Sequence, residues 1–225
     1  YTRREIPSAV LGPAEGQITL FGTETIATDP THARRVANGL TRLGPMVRER
    51  VMTGFLSTEE EKDLILLRFA RRCFDEGPRA VQMLGDPDVH AAFVLERNVN
   101  NEVCRFIEFI RFEEKDGMLG SVIHPKNNVL PLLRGHFCSR LPDEDFLIFD
   151  AAHGTALLRQ SGHVQYLAME HYEPARDADE LNWQALWKRF FHALTIEERR
   201  NAKAQMNHAP KRFWGGMVEM REPYI

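Results

Sequence analysis

Arginine and histidine are concentrated in one stretch, residues 111–140 (RFEEKDGMLGSVIHPKNNVLPLLRGHFCSR), which carries Arg111, His124, Arg134, His136 and Arg140. The planar guanidinium fork holds phosphate or carboxylate through paired, charge-assisted hydrogen bonds. An imidazole beside it can take or give a proton near neutral pH. His136 is therefore the candidate acid/base, with Arg105, Arg111 and Arg140 as candidate anion ligands. His136 and Arg140 lie four residues apart, which places them on one face of a helix. Each arginine has a competing structural use. Arg140 can pair with Asp143 or Glu144 to fix the next turn. Arg105 lies one turn from both Glu102 and Glu108 and can form surface pairs with them.

A second concentration of charge lies near the C-terminus. Between Lys188 and Arg212 the basic residues are 188, 189, 199, 200, 203, 211 and 212, against Glu197 and Glu198, on a chain of net charge −3. Arg199, Arg200, Lys203, Lys211, Arg212 and Trp214 are the candidate nucleic-acid contacts. Cations interleaved with Asn201, Gln205, Phe213 and Trp214 suit phosphate contact with base stacking, and they also suit a packed corner between helices.

Other chemistries lack their anchors. The chain has no G-x-G-x-x-G, G-x-x-x-x-G-K-[ST], G-x-S-x-G or H-E-x-x-H motif. His124, His136, His153 and His163 could converge on a metal, but nothing in their spacing requires it, so no metal site is expected. Cys138 stands two residues after His136, and such neighbours point apart on a helix. Cys73, Cys104 and Cys138 are far apart and odd in number, which opposes a disulfide framework or an iron–sulfur cluster and fits a reducing compartment. With 43% hydrophobic and 27% charged residues, no apolar run approaching a membrane span and no signal-peptide core, the expected location is cytoplasmic. The chain begins at Tyr1 without Met, so a preceding piece is expected.

These residues need elements to position them. Asp29-Pro30-Thr31 starts a helix that Gly44-Pro45 stops, and a second runs from Met46 to Phe55. Ser57-Thr58-Glu59-Glu60-Glu61 resembles a capping box opening a third, which Gly77-Pro78 ends. Asp86-Pro87-Asp88 caps a long helix from Val89 to about Ile110, with Leu95, Val99, Val103 and Phe106 on its buried face. The period then changes to two. Ile110 to Glu114 and Met118 to His124 form a hairpin around Asp116-Gly117. A helix follows from Val129 to Arg140, then strands at Phe146–Asp150, Thr155–Arg159 and Val164–Met169. The sheet has about five strands and, from its short connections, is mostly antiparallel. In the tail, Trp183, Leu186, Trp187, Phe190, Phe191 and Leu194 make an aromatic helix face, read as core rather than as a stacking platform. Thr195 caps a further helix through Asn207. QITLF (17–21) could be an edge strand. The expected fold is a single α+β domain over 1–225. It comprises a loop-rich segment (1–28), N-terminal helices with the long central helix (29–110), the sheet (111–170) and a basic helical tail (178–217).

The pieces Ala33-Arg34-Arg35-Val36, Asn101-Glu102-Val103, Phe109-Ile110-Arg111-Phe112, Pro125, Asn128-Val129-Leu130-Pro131, His136-Phe137 and Arg140 resemble a bacterial family linked to DNA repair and DNA metabolism, itself a domain of unknown function. Ile148-Phe149-Asp150, Leu186-Trp187-Lys188, Arg199-Arg200-Asn201 and Pro210-Lys211-Arg212-Phe213-Trp214 extend the likeness. The resemblance implies a partner that is a radical-SAM protein, and an association with a uracil-DNA-glycosylase-like protein or domain. It also implies that an iron–sulfur cluster and S-adenosylmethionine belong to that partner, with no cofactor in this chain. It implies a short strand and helix ahead of Tyr1. The function expected is that of a nucleic-acid-processing accessory protein binding DNA or a nucleotide-like anion. The alternatives are an enzyme acting on a nucleobase or nucleoside through His136, and an interaction module without catalysis.

Overall fold

The computed structural model describes residues 6–10, 24–173, 178–199 and 201–220. The edge strand expected at 17–21, part of the linker around Pro174, and Arg200 lie outside them. The fold is α+β, and the chain divides into two compact units, 1–100 and 101–225.

The first unit is helical. Asp29 caps α1 (Pro30–Leu43) by accepting from the amides of Thr31 and His32. Gly44, with φ of 119°, separates it from α2 (Pro45–Phe55). α3 spans Lys62–Glu76 and starts later than the Ser57 capping box predicts. Ser57 Oγ instead accepts from Glu59 N–H and closes a turn, so its capping capacity is used before the helix begins. A 3-10 turn (Pro78–Gln82) leads to α4 (Pro87–Phe109), whose first amides at Asp88 and Val89 donate to Asp86.

Leu40, Val47, Leu66, Phe69, Cys73, Val81, Val89 and Leu95 form this unit's core. Arg50 is buried among them. Its Nε donates to Glu96 Oε2 at 2.7 Å, its Nη1 donates to the Val81 carbonyl at 2.8 Å, and its guanidinium lies over the Phe69 and Phe93 rings. Burial pushes the neighbouring Cys73 thiol up to about 11, against the smaller opposing effect of the Arg50 charge.

The second unit is built on a five-stranded sheet in the order β1 (Glu113–Lys115), β2 (Met118–Ile123), β3 (Asp145–Asp150), β4 (Thr155–Gln160), β5 (His163–Ala168). β1–β2, β3–β4 and β4–β5 pair antiparallel, as the short connections predict. β2 and β3 are parallel, because α5 (Leu130–Arg140) carries the chain back across the sheet between them. The hairpin turn is at Asp116-Gly117, both with positive φ. Its first strand is shorter than expected, since α4 runs to Phe109 and pairing begins only at Glu113.

Phe112, Phe137 of α5 and Phe146 of β3 meet edge to face at 5.4 and 6.0 Å and seat the helix on one side of the sheet. On the other side Leu147, Phe149 and Ala156 pack with Tyr172. A side chain at Gly120 would have to displace Tyr172, because a Cβ there would lie 1.9 Å from the Tyr172 hydroxyl. Burial first, and the Glu113 carboxylate second, raise that phenol above its ordinary value.

The tail comprises α6 (Ala178–Leu194), a short 3-10 turn (Glu197–Arg199), α7 (Ala202–His208) and a 3-10 segment (Lys211–Gly216). The cap expected at Thr195 falls instead at Asn201, whose side chain accepts from Ala204 N–H. Thr195 Oγ1 donates back to the Phe191 carbonyl. The expectation that the α6 aromatics are core is overturned. Trp183, Leu186, Trp187, Phe190 and Leu194 are between 42% and 66% exposed, while the residues that α6 buries are Glu180 and Gln184.

Two outcomes follow for the first unit. Arg50→Ala strands the Glu96 carboxylate and the Val81 carbonyl and should cost about 3 kcal/mol in urea unfolding. Cys73 keeps its proton when folded and loses it when unfolded between its ordinary pKa of 9.0 and about 11. Its contribution is complete below that window and falls as pH rises through it. Cys73→Ala should therefore reduce the loss of stability between about pH 8 and about pH 10 by on the order of 1 kcal/mol.

Candidate functional site

The second unit is organised at one buried carboxylate. Glu102 of α4 is 2% exposed. Its Oε1 accepts from Lys126 N–H at 2.9 Å, and its Oε2 accepts from Asn127 N–H and Asn127 Nδ2 at 2.8 and 2.7 Å. Arg212 Nη1 stands 3.2 Å from Oε1. One side chain thus holds the loop after β2, completes the hydrogen bonds of two of its amides and draws the tail onto α4. Phe213 reinforces that seat by packing on Phe106 and Phe109 at 5.0 and 6.0 Å between ring centres. Trp214 Nε1 donates to the Ala209 carbonyl, which fixes the indole.

Residues 111–140 and the tail therefore meet, but through Lys126, Asn127 and Arg212. No hydrogen bond or ion pair among the described residues joins Arg111, His136 and Arg140. Arg111 Nη2 contacts Glu180 Oε1 of α6 at 2.8 Å, and Gln184 Nε2 donates to the same oxygen. Its Nε is buried without a partner. His136 is half-buried, edge-on to Phe137, with an unpartnered buried Nε2. Arg140 is exposed at the end of α5. The turn after α5 is held by Arg159, which donates to the Pro142 and Glu144 carbonyls, rather than by Arg140. Arg105 pairs with Glu108 at 3.1 Å on the surface, whereas Glu102, its other expected partner, is turned inward.

In the tail, Arg199, Lys203 and Lys211 are exposed, and the Lys211 ammonium lies 5.8 Å from the Trp214 ring centre. Among the described residues, no group of three or more His, Cys, Asp or Glu gathers to hold a metal, and no helix is long and apolar enough to cross a membrane. Cys73, Cys104 and Cys138 are free thiols.

Glu102 is the residue that sequence reasoning assigned to the surface. The signal lay in its position. Val99, Glu102, Val103 and Phe106 share one stripe of α4, so an acid there had to be buried and paired.

These features define an α+β protein in which a helical crossover between two parallel strands, a buried glutamate and a C-terminal tail are joined. The chain belongs to the DUF4130 family, a domain of unknown function, whose model matches residues 60–219. No curated protein and no solved structure matches the chain.

Glu102→Ala removes the acceptor of the Lys126 and Asn127 amides and of Asn127 Nδ2 and should cost about 3 kcal/mol in denaturant melts. Arg212→Ala removes a half-exposed partner and should cost about 1 kcal/mol or less. Equal losses would mean that the tail, not the loop, is what Glu102 supports.

Proposed function

We propose that this protein is a cytoplasmic accessory unit for nucleic-acid processing, acting with a radical-SAM partner and presenting its tail to DNA or a nucleotide-like anion. The single observation that carries the reading is the solvent-exposed face of α6. Trp183, Leu186, Trp187, Phe190 and Leu194 recur at three- and four-residue steps, the spacing by which one helix enters another protein's groove. An apolar stripe of this size on a folded unit marks an interaction surface. The exposed cations Arg199, Lys203 and Lys211 follow in the same tail, where a phosphate backbone could be held while the partner is docked. The partner's identity rests on the family resemblance, and its cluster and S-adenosylmethionine would supply chemistry that this chain's own residues do not indicate.

Co-purification with the radical-SAM partner tests the docking half. Trp183→Glu with Phe190→Glu should abolish it while moving the melting temperature little, since both residues are more than half exposed. Retention of the partner by that double variant would overturn the assignment of the face. The DNA half is tested by fluorescence anisotropy with single- and double-stranded oligonucleotides over a salt series. Replacing Arg199, Lys203 and Lys211 by Ala should weaken binding and lower the salt slope by about one for each phosphate that is no longer neutralised. A flat response at low salt would remove DNA from the reading and leave an interaction module.

A further inference from the structure

The two parallel strands end side by side, and a histidine with a free nitrogen stands at that end. Ile123, the last residue of β2, is in register with Asp150, the last of β3, and Ala151 N–H donates to the Ile123 carbonyl at 3.0 Å. Asp150 is 1% exposed. Its Oδ1 accepts from the amides of Ala152 and His153, and its Oδ2 lies 2.7 Å from His153 Nδ1. This places the proton of a neutral His153 on Nδ1 and fixes the ring, as a buried carboxylate does for an imidazole in acid–base catalysis. The other nitrogen, Nε2, has no partner among the described residues and is reached by solvent.

The surroundings of that nitrogen favour an anion. The loop after β2 brings His124 and Lys126, both exposed, to the same end of the sheet. Glu102 Oε1 links Lys126 N–H to Arg212, whose guanidinium is half exposed and has further donors to offer. Glu102 and Asp150 are buried there and accept hydrogen bonds from the backbone, while Glu170, which follows β5 at the same end, is exposed. α5 begins here as well, and no side chain caps its N-terminus. Loops that follow adjacent parallel strands, with a helix start between them, are the usual seat of phosphate groups.

We propose that the carboxyl end of the β2–β3 pair binds a phosphate-bearing ligand, with His153 exchanging a proton with it through Nε2. Asp150 is the positioning residue. Arg212 and the loop after β2 supply the cationic wall. The site needs neither the α6 face nor the exposed tail cations, so it stands or falls apart from the docking and DNA readings. It also differs from the acid/base expected at His136, whose Nε2 is enclosed by the fold.

The experiment follows the imidazole signals of isotope-labelled full chain as inorganic phosphate, a deoxynucleoside 5′-monophosphate or a single-stranded oligonucleotide without terminal phosphate is added at fixed pH. The expected result is a saturating shift at His153 that the exposed His32, His90 and His192 do not share. Saturation by phosphate or the mononucleotide assigns a small ligand, and saturation by the oligonucleotide alone assigns a strand backbone. Both outcomes support the site. Arg212→Ala should weaken binding about tenfold, the effect of losing a charged hydrogen-bond donor. His153→Gln, which leaves the Asp150 amide contacts in place, should abolish proton exchange without unfolding. The proposal is overturned if His153 moves no more than the control histidines, or if His153→Gln keeps its fold and binds all three probes as the parent does.

Discussion

A carboxylate withdrawn from water must be matched, and Glu102 is matched by two separate parts of the chain, the loop after β2 and the tail. Burying an unpaired charge costs several kcal/mol, so the fold that contains Glu102 also has to bring the loop amides to it. Two backbone donors and an amide side chain complete the carboxylate, and Arg212 offsets its charge. The loop in turn fixes where β2 ends and α5 starts. From that position follow the parallel pairing with β3 and the place of Asp150. Hydrophobic burial, of Phe106, Phe137 and Phe146 among others, also drives this unit together, but it is non-directional. Glu102 gives the arrangement its register.

α6 is built the opposite way. Its inward face is polar: Glu180 meets Arg111, and Gln184 spans Glu180 and Glu113. Its aromatic stripe is left about half exposed, with Trp187 Nε1 donating to Glu219. Helix propensity and periodicity predict that such a stripe turns inward, and the rule fails here because an ion pair decides the rotation of the helix. A helix attached by a charged contact and wet on its apolar side is suited to meeting a partner, since that second surface is still to be buried.

Much of the framework is legible from residues alone. Asp29 and Asp86 cap where their types predict, Gly44 and Gly77 end helices, and Asp116-Gly117 makes the hairpin turn. Those signals act over a few residues and depend on local backbone geometry. Of the misplaced features, the caps fail locally and the site residues fail through long-range contacts. Ser57 and Thr195 look like caps, but their hydroxyls find nearer partners. Pairing Glu102 with Arg105 is good helix chemistry that yields to a loop from 24 residues away. Arg111, His136 and Arg140 are close in sequence and chemically suited to one another, yet Arg111 turns to α6 and His136 leans on Phe137. Proximity in sequence does not determine which side of an element a side chain serves.

Arg212 connects the structural and chemical roles. A guanidinium carries five donors in a rigid fork, and Glu102 engages one terminal nitrogen at the edge of that fork. The remaining donors can face an anion without abandoning the buried carboxylate. A lysine, with one compact charge, would have to choose between them. The same residue can therefore secure the tail and complete a phosphate site. The tail's more distant cations, Arg199 and Lys203, have no such structural duty and remain available for a longer polyanion.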